Sequence, residues 1–103
     1  MDLKVLEENS TKASQLLRVM SNEKRLMILC NLLDGELSVQ QLQEATGLGQ
    51  STVSQQLAVL RGERIVKHRR EAQSVYYQID SAEAAAVLRT LYEIFCKDEP
   101  LNL

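Results

Sequence analysis

Three sets of side chains in this sequence could do chemistry. Gln50, Ser51, Thr52, Gln55 and Gln56 bring amides and hydroxyls together in one short uncharged stretch. Such groups donate and accept hydrogen bonds; a glutamine can pair bidentately with adenine, and serine or threonine can serve bases or phosphates. Arg61, Arg64, Lys67, Arg69 and Arg70 form a basic run opposed only by Glu63, with His68 inside it. That run suits phosphate. Cys30 and Cys96 are the only two cysteines, and they could cycle between thiols and a bridge.

Other chemistries lack parts. There is no glycine-rich phosphate loop and no Cys–His pair, and Ser51 and Ser54 have no evident activating base, so an enzyme is not expected. A soft-metal site needs clustered thiolates with histidine or carboxylate support. Glu36 to Gln40 reads ELSVQ without cysteine, and the last helical segment offers Asp80, Glu83 and Glu93 without histidine. No metal and no cofactor are expected.

The elements that must position these groups follow from periodicity. Val39, Leu42 and Ala45 mark one short amphipathic helix; Val53, Leu57 and Leu60 mark a second, over about Gln50 to Arg61. Gly47 ends the first and Gly49 opens the second, giving a helix-turn-helix. Ser38 with Gln41 predicts a capping box on the first. With Val53, Leu57 and Leu60 inward, Ser51, Thr52, Gln55 and Gln56 are assigned to a DNA groove and Gln50 to the phosphate line.

Upstream, Leu3 to Met20 reads as one helix, and Ser21 caps another that runs through Cys30 to a stop at Asp34 and Gly35. Downstream, Ile65–Arg69 and Ser74–Ile79 read as strands joined by a turn over 70–73, a wing whose tip carries Arg69 and Arg70. These two arginines are the phosphate or minor-groove candidates; Arg61, Arg64, Lys67 and His68 add long-range attraction. Asp80 or Ser81 opens a last helix, with Glu83 behind the cap, that ends near Cys96 to Asp98 before Pro100. The fold class is therefore mainly α with a small β-wing: a winged helix-turn-helix of four helices, two strands and a fifth helix, in one domain over 1–103.

The net charge of −2 is that of an acidic body with one basic edge, since Asp2, Glu7, Glu8, Glu93, Asp98 and Glu99 lie toward the ends. The chain has no apolar run of signal-peptide or membrane-spanning type, so a cytoplasmic, membrane-free protein is expected. In that compartment a permanent disulfide is disfavoured. The first and last helices carry surplus apolar residues. Leu6, Leu16, Leu88, Leu91 and Phe95 are assigned to a homodimer interface, which would let two copies of the short helix read an inverted repeat about one helical turn apart.

Three stretches, Met20-Ser-Asn-Glu-Lys-Arg-Leu-Met-Ile-Leu-Cys30, Gln50-Ser-Thr-Val-Ser-Gln-Gln-Leu57 and Arg70-Glu-Ala-Gln-Ser-Val-Tyr-Tyr77, closely resemble the ArsR/SmtB family of bacterial winged-helix regulators. Cys30, Cys96 and Arg70-Glu-Ala-Gln73 are similar to its BigR, SqrR, YgaV and HlyU branch. The resemblance implies a repressor that binds an operator in double-stranded DNA when reduced. It implies release when Cys30 and Cys96 are linked by a disulfide or polysulfide bridge, with reactive sulfur species or oxidants as inducers. An activator or anti-silencer of virulence genes, as in HlyU-like members, is the alternative; a metal-responsive repressor ranks behind both. A protein-interaction module without a DNA role is the rival from another class. Two departures stand out. Gln56 occupies the family's usual histidine position, and Arg61-Gly-Glu-Arg-Ile65 displaces the glycine of the usual Arg-x-x-Gly-Leu ending.

Overall fold

The computed structural model describes residues 1–96; the expectations concerning Asp98, Glu99 and Pro100 lie outside them. The elements are α1 (Leu3–Glu8), α2 (Ser10–Met20), α3 (Glu23–Asn31), β1 (Leu37–Ser38), α4 (Val39–Thr46), α5 (Gln50–Gly62), β2 (Val66–Glu71), β3 (Ser74–Ile79) and α6 (Ala82–Phe95). This is a winged helix-turn-helix, mainly helical, with a small antiparallel sheet in the order β1-β3-β2.

The expected single helix over Leu3 to Met20 is two helices. Asn9 leaves helical geometry at φ −107° and ψ 9°. Its side chain donates to the Val5 carbonyl at 2.9 Å, and the Ser10 hydroxyl donates to the Glu7 carbonyl at 2.9 Å. Short polar side chains thus compete for the backbone where no tertiary packing holds the helix straight. No residue of α1 is buried.

Ser21 closes α2, and Asn22 caps α3 by accepting from the Arg25 backbone N–H at 3.0 Å. The capping box is present: Ser38 accepts from the Gln41 N–H at 3.1 Å, and Gln41 Oε1 accepts from the Ser38 N–H at 2.8 Å. Ser81, one of the two candidates, caps α6 by accepting from the Ala84 N–H at 3.0 Å. This places Glu83 second in the helix rather than third.

One core joins the helices to the base of the wing. Ile28, Leu29, Leu42, Val53, Leu57 and Leu60 are fully buried, and Ala84 and Leu88 bring α6 onto them. Leu88, assigned from the sequence to a subunit interface, has no exposed surface and belongs to this core. The stripe on α6 turns outward only toward its end, where Tyr92, Ile94 and Phe95 are exposed.

The end of α5 explains the displaced glycine. The Ile65 N–H donates to the Leu60 carbonyl and the Arg64 N–H to the Arg61 carbonyl, at 2.9 and 3.0 Å. These are the two bonds of a Schellman motif, whose left-handed position glycine usually fills. Arg64 occupies it at φ 62°. Gly62 is the last residue of α5.

Candidate nucleic-acid interface

The helix-turn-helix is set by its turn. Gly47 takes a left-handed φ of 74° at the end of α4, and the Thr46 hydroxyl donates to the Leu42 carbonyl while accepting from the Leu48 N–H. Gly49 is extended at φ −73° and ψ 162° and opens α5 with no side-chain cap. Val53, Leu57 and Leu60 then lock α5 onto the core.

With those three inward, the 3.6-residue period dictates the outer face. Gln50, Ser51 and Gln55 are exposed, as assigned, and Ser54 and Ala58 stand with them. Ser54 was not assigned from the sequence, although its position three residues after Ser51 and four after Gln50 marks it. Thr52 is half-buried. Gln56 lies at the inner edge of the helix, and its Oε1 accepts from Arg25 Nη1 at 3.1 Å. Arg25 Nε donates to the Val19 carbonyl at 2.6 Å, so one guanidinium ties the end of α2 and the start of α3 to α5.

The wing is a two-residue hairpin. Glu71 pairs with Ser74, leaving Ala72 and Gln73 as the loop. β2 begins one residue later than expected and runs two residues further, so the turn shrinks from four residues to two. Ala72 holds a positive φ of 56°.

The basic edge is not uniformly available. Arg69 leans over the Tyr76 ring, 4.7 Å from its centroid, and donates to Glu36 at 2.6 to 3.0 Å and to Glu71 at 2.7 Å. The hydrogen bond from Arg69 holds the Glu36 carboxyl below its usual range, and its charge adds to the effect; burial opposes both. The Glu36 and Glu71 carboxylates push the Arg69 guanidinium further up. Lys67 pairs loosely with Asp80 at 3.8 Å, and Arg61 Nη1 lies 3.0 Å from His68 Nδ1. Arg64 and Arg70 are exposed without a side-chain partner among the described residues.

Residues 22–68 match the family model described as bacterial regulatory protein, arsR family. Over 94% of its length the chain is 47% identical to the transcriptional activator HlyU of Vibrio cholerae, covering 90% of that protein. The chain belongs to the arsR family. Two solved structures share its shape. The transcriptional repressor BigR of Xylella fastidiosa superposes with a TM-score of 0.89 at 40% identity, over 94% of this chain and 99% of that one. A structure described as reduced HlyU from Vibrio cholerae superposes at 0.86 and 47% identity, over 91% of this chain and 99% of that one. The protein is accordingly a transcriptional regulator, not an enzyme. No helix among the described residues is long and apolar enough to cross a membrane.

In this arsR-family regulator the two cysteines sit on adjoining helices. Cys30 is near the end of α3 and lines a cleft of about 350 Å³ with Leu33, Asp34, Arg89, Tyr92 and Glu93. Cys96 caps α6. Both are free, exposed thiols, and no bond joins them. Burial pushes the Cys30 thiol up, and the negative charge that Cys96 can carry pushes it further. The remaining interface candidates divide by exposure. Leu6 and Phe95 are 50% and 75% exposed, whereas Leu16 and Leu91 are half-buried. Leu3, Val5, Leu17, Tyr92 and Ile94 add exposed apolar surface to the same terminal helices.

Proposed function

We propose that this single-domain regulator binds DNA as a homodimer, with α5 of each subunit in a major groove. The uncharged face of Ser51, Ser54 and Gln55, exposed opposite a fully buried Val53, Leu57 and Leu60, is the observation that carries the reading. Its hydrogen-bonding groups suit base edges, Gln50 and Thr52 flank them, and Arg70 at the wing suits the phosphate line. Gln56 serves by fixing α5 to Arg25, and Arg69 by setting the wing. Pairing is supported by the unpartnered apolar residues of α1 and of the end of α6. A radius of gyration of 15.2 Å against about 13 Å for a compact chain of this length supports it too.

The operator is released when Cys30 and Cys96 are joined. Two thiols lose two protons and pass two electrons to the oxidant: the O–O bond of a peroxide breaks, water leaves and a disulfide forms, or the S–S bonds of a polysulfide break, sulfide leaves and a disulfide or a longer bridge that keeps the polysulfide's inner sulfur forms. The packing of α3, which carries Cys30, against α6, which ends at Cys96, supports this pair. A bridge would pull α6 against α3, and α3 is tied to α5 through Arg25 and Gln56. DNA affinity falls if the bridged state holds the two α5 helices off their half-sites.

Repression is the leading sense, matching the Xylella fastidiosa relative described as a repressor. Activation is the second reading, favoured by the Vibrio cholerae relative described as an activator. The test is a titration of the protein's own promoter duplex by reduced and by polysulfide-treated protein, with intact mass recorded. The parent should lose affinity as a bridged mass appears, while Cys30→Ser and Cys96→Ser should not. Equal responses of parent and variants would refute the thiol switch.

A further inference from the structure

Between α4, the first half of α5 and the tip of the wing lies an open cleft of about 530 Å³. Gln40 and Gln43 of α4, Gln50 and Ser54 of α5, and Gln73 and Ser74 of the wing line it. No residue lining it is charged. Four of the chain's nine glutamines converge there, and none of these four amides has a side-chain partner among the described residues.

We infer that this cleft grips one sugar–phosphate strand of the bound DNA through neutral donors. The inference rests on the proposed reading of DNA by α5. A helix lying in a major groove has a backbone strand on each side, and one of them must pass between α5 and the wing. Gln50 and Ser54 are on the edge of α5 that faces this cleft; Gln56, held by Arg25, is on the opposite edge. Amide N–H groups are common donors to phosphate and sugar oxygens. A partner protein seated here would block the α5 face, so DNA is the occupant compatible with that reading.

Neutral donors leave a signature that arginine does not. Binding becomes salt-dependent because cationic side chains displace counterions from phosphates. An amide that contacts a phosphate strengthens binding without adding to that count. Gln43→Ala with Gln73→Ala should therefore weaken binding on the order of tenfold, equally on the protein's own promoter duplex and on a scrambled duplex, with the salt slope unchanged. Gln43→Glu with Gln73→Glu should weaken it further. Arg70→Ala, the comparator, should lower the slope by about one.

The measurement is fluorescence anisotropy at four salt concentrations on both duplexes, with melting temperatures to show that each variant is folded. If the parent binds its own promoter duplex but both glutamine double variants match it, the cleft inference fails and the α5 reading stands. A loss confined to the promoter duplex, or a reduced salt slope in the alanine pair, would also overturn the inference. A parent that does not distinguish the two duplexes would overturn the α5 reading, and the cleft inference with it.

Discussion

Arg25 and Gln56, 31 residues apart, are joined by a 3.1 Å hydrogen bond that fastens α5 to the start of α3. The same guanidinium donates to the Val19 carbonyl at the end of α2. The helix proposed to enter the DNA groove is thus not free to rotate about its own axis. Its orientation is set by the helix that also carries Cys30. On the proposed reading, the glutamine at this position is a positioning residue, and the base-facing work belongs to Ser51, Ser54 and Gln55.

Arg25→Ala should therefore cost about 1.5–3 kcal/mol of stability, the range for a hydrogen bond made by a charged group. It should also weaken binding to promoter and scrambled duplexes alike. Urea unfolding reads the first effect and anisotropy the second. Gln56→Ala should shift base preference far less than Gln55→Ala does; a larger shift at position 56 would place that side chain in the groove after all.

Leu88 and Phe95 separate packing from pairing. Leu88→Ala removes a fully buried side chain and should destabilise the fold by about 2–5 kcal/mol. Phe95→Glu changes a residue that is 75% exposed in one chain. It should leave secondary structure intact and convert a dimer into a monomer, as read by sedimentation velocity. A folded Phe95→Glu variant that remains dimeric would move the interface off the end of α6.

Arg64→Gly should stabilise the chain by about 1 kcal/mol, because the left-handed backbone at φ 62° is strained for any residue with a Cβ. Thermal melting checks it. No change would mean that the side chain of Arg64 offsets the strain. The same variant removes an exposed cation, so its DNA affinity should fall as stability rises.

Glu36 gives the wing a pH dependence of defined sign. Its folded pKa is depressed through Arg69, so the stabilisation is present above its unfolded pKa and is lost as pH falls through the folded one. Glu36→Gln should loosen the wing at neutral pH and converge with the parent in acid, below the usual carboxylate range. Amide exchange across β2 and β3 would show this. A difference that persists in acid would refute the linkage.

Cys30 supplies a separate electrostatic test. Its pKa is raised chiefly by burial and secondly by Cys96. Cys96→Ser should lower it, seen as iodoacetamide alkylation of Cys30 beginning at lower pH. An unchanged profile would show that the two thiols are too far apart to sense one another.

Local rules made much of this molecule legible from its sequence. The Ser38–Gln41 box, the left-handed Gly47 and the buried Val53, Leu57 and Leu60 each depend on neighbours a few residues away, and each follows from type and spacing. What escaped depends on distant partners. Gln56 reads as one more groove amide until Arg25 is seen beside it, and Arg69 as a free cation until Glu36 is found across Tyr76. β1 was invisible because two residues carry no period, although it pairs Leu37 with Tyr77 and Ser38 with Tyr76. Leu88 and Phe95 lie on one apolar stripe; only the packing of α6 on the core buries the first and leaves the second outside. Ser54 alone was within reach, since the same period that turned Val53 inward turns it outward.

The α5 face is tested most directly by the affinities of the parent and of Ser51→Ala with Gln55→Ala for the protein's own promoter duplex and a scrambled one, measured in the reduced state. The parent should prefer the promoter duplex, and the double variant should lose most of that preference while keeping its weak binding to the scrambled DNA. A double variant that discriminates between the two duplexes as well as the parent does would contradict the assignment of this helix face to the DNA groove.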